Sequence, residues 1–77
     1  MYTIKEREEN KMYKVNVYLK SKTESIEFYS VWVAMNMAQK YGACVDVESV
    51  DVVSNETGEV GMIIEKGRLV YVAEHKF

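Results

Sequence analysis

The residue types that most often carry out catalysis are scarce in this sequence of 77 residues, which contains one cysteine, Cys44, and one histidine, His75. Cys44 is followed closely by Asp46, and an acidic neighbour opposes the thiolate that a nucleophilic cysteine requires. We therefore interpret Cys44 as a small buried hydrophobic residue. His75 is two positions before Phe77, which is typical of an exposed tail. These residues predict no catalytic site and no enzyme activity.

Patterns that would hold a metal ion or a cofactor are not found in the sequence either. With one Cys and one His there is no ligand set for a structural zinc ion. The carboxylates of Asp46, Glu48 and Asp51 do not have the spacing of a calcium-binding loop. Gly58 and Gly61 are three residues apart but lack the strand–loop–helix context of a phosphate-binding loop. We expect no metal and no cofactor.

The charge balance bears on the class of partner. The chain has ten basic and twelve acidic residues, a net charge of −2, and a pI of about 5.4, whereas nucleic-acid binders usually carry a strongly basic surface. The charge is uneven, since residues 1–40 carry a net +2 and residues 41–77 a net −4. A single cysteine excludes an internal disulfide, and no apolar run approaches the roughly 18 residues of a membrane span. We expect a cytoplasmic protein.

One segment nevertheless has the residue types that bind nucleic acid. Lysines and a tyrosine alternate along the first strand and its turn, and RNA-binding sheets stack bases on aromatic side chains. The residues of this basic stripe are Lys14, Tyr18, Lys20 and Lys22. Because the acidic segment 44–59 would repel phosphate, nucleic acid is the alternative partner rather than the leading one.

Two apolar features favour a protein partner. Trp32 and Val33 lie outside the apolar arc of the predicted helix, with Tyr29 just before it, although burial of Trp32 at the edge of a small core is an equal alternative. Exposed, these three would form a patch of the kind that mediates protein contacts. The last strand carries Leu69 and Tyr71 without proline or inward charge, so an unprotected sheet edge is expected there. The partner is a different protein or a second copy of the chain.

The elements that position these residues can be derived from periodicity. Residues 1–11 form a charged lead-in, and residues 12–77 form a single domain. A period of two predicts strands over 13–19 and 25–28. Ser30 is a suitable N-cap for a helix over 31–41, and Gly42 is expected to adopt the left-handed conformation that ends many helices.

The second half of the chain reads as three strands. A valine-rich strand is expected over 43–53, with a shift of phase near Glu48 and Ser49 that indicates a β-bulge or a bend in the strand. Tight turns at 55–58 and 66–67 then separate strands over 60–65 and 68–73. The order β-β-α-β-β-β predicts a two-layer α+β domain with one helix on a mostly antiparallel sheet of four or five strands. The sequence leaves open whether the strands on either side of the helix are parallel neighbours joined by a right-handed crossover.

Residues 12–73 resemble known proteins in three features, which are the lysine-rich first strand, the helix end Ala38-Gln39-Lys40-Tyr41-Gly42-Ala43 and the turn Glu56-Thr57-Gly58-Glu59-Val60. In this organisation the chain resembles small proteins of bacteriophages and mobile elements. The resemblance implies an accessory protein that binds and modulates a host protein. It assigns no role to any individual residue.

Overall fold

The computed structural model describes residues 12–73, and the helix and the strands follow in the predicted order. The predicted lead-in and His75 lie outside the described residues. The elements are β1 (Tyr13–Leu19), β2 (Thr23–Phe28), α1 (Val31–Gly42), β3 (Val47–Ser54), β4 (Val60–Glu65) and β5 (Arg68–Val72).

The strands form one antiparallel sheet with the order β2-β1-β3-β4-β5. The helix packs on one face of this sheet, and the predicted α+β class is confirmed. The sequence left open whether β2 and β3 are neighbours, and in the structure they are not. They are parallel to each other, but β1 lies between them and forms a ladder with both. The β2–α1–β3 connection therefore crosses over β1, which gives the hairpin strand β1 two partners and places it near the centre of the sheet.

Small residues bring the helix close to the sheet. Ala34 and Ala38 face the sheet and are fully buried, as are Val15, Val50 and Val52 beneath them. The opposite face of the sheet is not covered by a described element, and we call it the open face. Side chains alternate along a strand, so the neighbours of the buried residues in sequence point to the open face.

The end of the helix differs from the prediction. Gly42 is the last helical residue and has no positive φ, while Ala43 caps the helix in the right-handed conformation. A β-carbon on Gly42 would come within 2.8 Å of the Cγ2 atom of Ile64 on β4. Glycine is therefore needed here for close packing and not for a left-handed turn.

The start of β3 also differs. The predicted strand begins at Ala43, but residues 43–46 form turns in which the Cys44 amide donates to the Tyr41 carbonyl and the Val47 amide donates to the Cys44 carbonyl. Val45 is 97% exposed, so it does not share the buried direction of Val47. Cys44 is exposed as well, so its interpretation as a buried residue is wrong.

The predicted bulge and turns are confirmed. Tyr18 pairs with Ser49 and Leu19 with Val47, which leaves Glu48 as the extra residue of β3. Gly58 has the positive φ that its turn requires. The β4–β5 turn has positive φ at both Lys66 and Gly67, as expected for a two-residue hairpin turn that matches the twist of the strands.

Candidate functional site

The first candidate surface lies at the start of α1 and consists of Tyr29, Trp32 and Val33, which we call the helix-start patch. Trp32 is 74% exposed, Tyr29 70% and Val33 46%. Ser30 caps the helix from an extended backbone conformation, and its hydroxyl accepts a 3.4 Å hydrogen bond from the Val33 amide. Trp32 and Val33 therefore lie in the first turn of a capped helix, and Tyr29 lies in the connection directly before the N-cap.

Helical geometry explains why Trp32 does not enter the core. Trp32 is two residues before Ala34, so it is turned by about 200° around the helix axis, and Ala34 is fully buried against the sheet. The first turn also lacks an acidic residue, which would stabilise the positive end of the helix dipole. Packing in the core and helix electrostatics thus give no reason for an indole at this position.

The second candidate surface is β5, one of the two edges of the sheet formed by residues 12–73. All five of its residues are exposed. Leu69 and Val72 point to the helix side because they pair with the buried residues Ile64 and Met62, whereas Tyr71 pairs with Ile63 on the open face. Apolar side chains therefore flank this free edge on both faces of the sheet.

The structure reveals a polar network on the open face that sequence reasoning missed. The Ser25 hydroxyl donates to Asn16 Oδ1 at 2.7 Å, and Asn16 Nδ2 donates to Asp51 Oδ1 at 2.8 Å. The Tyr18 hydroxyl donates to Asp51 Oδ2 at 3.0 Å. Burial raises the pKa of Tyr18, and the hydrogen bond to Asp51 and its negative charge raise it further. The alternating polar positions of β1 were a signal for this face, but they did not show which strands are neighbours.

The residues of the basic stripe are dispersed among carboxylates. Lys14 and Tyr18 both lie on the open face, but Lys14 pairs with Glu27 in the β1–β2 register. The ammonium group of Lys22 is 3.0 Å from a carboxylate oxygen of Glu24. The phenol of Tyr18 is bound to Asp51. The arrangement does not present the continuous positive surface that tracks a phosphate backbone.

An open groove between the β1–β2 turn and the end of α1 is lined by Lys20, Cys44, Asp46, Glu48 and Lys66, among others. The Cys44 thiol is 3.7 Å from the carbonyl oxygen of Lys40. Charges of both signs line this groove, and residues 12–73 contain no group of three or more side chains arranged to hold a metal ion. The groove provides neither a paired nucleophile and base nor a charge-selective site.

Within residues 12–73, no helix is both long and apolar enough to cross a membrane. No protein-family model matches the chain, and neither a curated protein nor a solved structure matches it. The function must therefore be inferred from the geometry of the residues themselves.

Proposed function

We propose that this protein is a small binding module that acts by docking on another protein through the helix-start patch. The observation that carries the proposal is the 74% exposure of Trp32 in the first turn of a capped helix, with Tyr29, at 70%, directly before the N-cap. Tryptophan and tyrosine are enriched among the few interface residues that contribute most of the binding free energy. Because Trp32 and Val33 already have a helical backbone, docking there orders little further backbone.

The resemblance to small phage and mobile-element proteins favours a host protein as that partner, with modulation of that host protein as the outcome. Catalysis has no support in the described residues, because Cys44 lies among charges of both signs without a neighbouring base. The described fold, residues 12–73, holds the first turn of α1 in place at the surface. A non-enzymatic binding role is consistent with this organisation.

Nucleic-acid binding by the basic stripe is the second candidate function. The shared orientation of Lys14 and Tyr18 on the open face supports it. The carboxylates of Glu24, Glu27 and Asp51 beside the stripe weaken it, because they raise the free energy of bringing phosphate to this face.

Site-specific cross-linking tests the docking proposal. A photoreactive amino acid replaces Trp32 in one variant and Ser21 in a control, since Ser21 is an exposed polar residue of the β1–β2 turn, at the other end of the hairpin from the start of α1. We expect position 32, but not position 21, to cross-link a defined protein of the host, which mass spectrometry identifies.

The affinity for the purified partner then gives the decisive measurement. We expect Trp32→Ala to weaken binding by at least about tenfold, and Ser21→Ala to leave it within about twofold, with both variants folded by circular dichroism. Equal affinity of Trp32→Ala and the wild type, or cross-linking at neither position, would refute docking through the helix-start patch.

A further inference from the structure

The two edges of the sheet differ in how they are protected against pairing with another strand. β2 carries Glu24 and Glu27 along its edge, and charged residues are a common protection of edge strands. β5 carries four apolar residues that are 42–56% exposed, and its single charge, Arg68, lies at its first position. Only one edge of the described sheet is therefore open to strand addition.

The hydrogen bonds between β4 and β5 indicate which backbone groups face outward. The Ala73 amide donates to the Gly61 carbonyl at 2.9 Å, so Ala73 turns its backbone groups toward β4. Because these directions alternate along an antiparallel strand, Val72 turns its amide and carbonyl to the free edge. Val70 is the extra residue at the register shift opposite Ile63 and Ile64 and has no direct partner on β4. The outer edge of β5 thus has unpaired hydrogen-bonding groups that a further strand can satisfy.

We propose that β5 pairs antiparallel with β5 of a second copy, about a two-fold axis at Tyr71, so that the two sheets become one of ten strands. In this register Val72 faces Val70 of the other copy, and the two Tyr71 rings are opposite each other. Pairs of β-branched and of aromatic residues are favourable across strands. The strand is therefore complementary to itself, which a two-fold interface requires.

Charge supports the second copy as the occupant. In this register the two Arg68 residues are six positions apart along the strands, or about 20 Å at roughly 3.4 Å per residue, which exceeds the screening length of about 8 Å at physiological salt. No like charges in residues 68–73 are opposed. If β2 instead paired antiparallel with β2 of a second copy over its full length, from Thr23 to Phe28, Glu24 of one copy would lie opposite Glu27 of the other. Because the β2 edge is protected, the assembly closes as a dimer and does not continue as a fibre.

The two-fold axis is perpendicular to the joined sheet and therefore places both α1 helices on the same side. Leu69 and Val72 of the two copies then lie together in the gap between the helix layers. A contact of five residues per strand is smaller than the roughly 800 Å² per partner of a stable interface. We therefore expect a reversible dimer whose population rises with concentration.

Light scattering after size exclusion, from low micromolar to millimolar protein, tests this proposal. The experiment uses the Cys44→Ser background, because the exposed cysteine could otherwise join two chains by a disulfide. We expect the mass to rise from monomer to dimer, Val72→Lys to remain monomeric, and the control Thr23→Lys on the opposite edge, which leaves Glu24 and Glu27 in place, to dimerise like the parent. A monomer at every concentration, or a dimer unaffected by Val72→Lys, would overturn the proposal.

Cross-linking tests the register and does not depend on the Val72→Lys variant being folded. In the same Cys44→Ser background, Tyr71→Cys should form an intermolecular disulfide under mild oxidation, since directly opposed residues of antiparallel strands come close enough for one. Ser25→Cys on β2 should not. Equal disulfide formation at both positions would contradict pairing through β5.

The dimer is independent of the proposed function, and the two fail separately. Trp32→Ala should dimerise like the parent even though it loses the protein partner. If Trp32→Ala instead abolishes the dimer while Val72→Lys retains it, the second copy docks on the helix-start patch and the β5 proposal is wrong.

Discussion

The phenol of Tyr18 on β1 donates a 3.0 Å hydrogen bond to Oδ2 of Asp51 on β3, while Oδ1 of the same carboxylate accepts a 2.8 Å hydrogen bond from Asn16. On the open face, Asp51 is thereby joined to two residues that are distant in sequence, Tyr18 at a separation of 33 positions and Asn16 at a separation of 35. Each oxygen of Asp51 has a donor, so this carboxylate binds β1 to β3 at the centre of the sheet.

Replacing Asp51 with asparagine should lower the pKa of Tyr18. Burial is the largest cause of its raised pKa and remains in Asp51→Asn, whereas the carboxylate charge that opposes ionisation of the phenol is removed. We expect the pKa to move toward, but not reach, the ordinary tyrosine value of about 10. A pH titration of the Tyr18 ring followed by NMR measures it, and an unchanged midpoint in Asp51→Asn would contradict the assignment.

Stability at high pH follows from the same raised pKa. The unfolded chain releases the Tyr18 proton near pH 10, and the folded chain releases it only at higher pH. The contribution of Tyr18 to the free energy of unfolding is therefore complete below about pH 10 and falls as the pH rises through the folded pKa. Urea unfolding at several pH values should show a steeper loss above pH 10 for the wild type than for Tyr18→Phe. Parallel profiles would refute this linkage.

Gly42→Ala should destabilise the protein by about 1–3 kcal/mol, because the added methyl group overlaps Cγ2 of Ile64 at 2.8 Å. Urea denaturation measures this difference. Ile64→Leu removes the branch at the β-carbon and serves as the partner in a double-mutant cycle. We expect Gly42→Ala to cost less in the Ile64→Leu background. An equal cost in both backgrounds would show that the close approach of α1 to β4 is not its origin.

The β4–β5 turn should respond with opposite signs to two substitutions. Lys66 has a φ of 50°, which is unfavourable for a side chain of its type but is well tolerated by asparagine. We expect Lys66→Asn to stabilise the fold by up to about 1 kcal/mol, a rise in Tm of roughly 4–8 °C per kcal/mol. Gly67→Ala should lower Tm because Gly67 has a φ of 78°, which is unfavourable for alanine. The added methyl group would meet only ordinary contacts, so the loss of stability comes from the backbone conformation. Thermal unfolding with both shifts in one direction would contradict this turn geometry.

Affinity for single-stranded RNA should be weak and should not depend on Lys14. The carboxylate of Glu27, the cross-strand partner of Lys14 on β2, offsets its charge. Fluorescence anisotropy at low and physiological salt compares the wild type with Lys14→Ala and, as a control on the other end of the sheet, Lys66→Ala. Tight binding that falls steeply with salt and is lost only in Lys14→Ala would favour the nucleic-acid function instead.

The features recovered from the sequence depend on near neighbours along the chain. Ser30 is an N-cap because its hydroxyl reaches an amide three residues away. The bulge at Glu48 follows from the shift of the valine period, and the turn at Gly58 from its need for positive φ. These local rules, with the alternation of the strands, were sufficient to predict one helix on an antiparallel sheet.

The tertiary structure decided which distant residues meet. It places β1 between β2 and β3. It also joins Tyr18 to Asp51 by a hydrogen bond and brings Gly42 close to Ile64, and local sequence patterns do not relate these residues. The sequence left open whether Trp32 is buried. The fully buried Ala34 sets the rotation of the helix on the sheet, and this rotation turns Trp32 to the surface. Periodicity identifies an apolar face, but only packing against a particular partner determines which residues it covers.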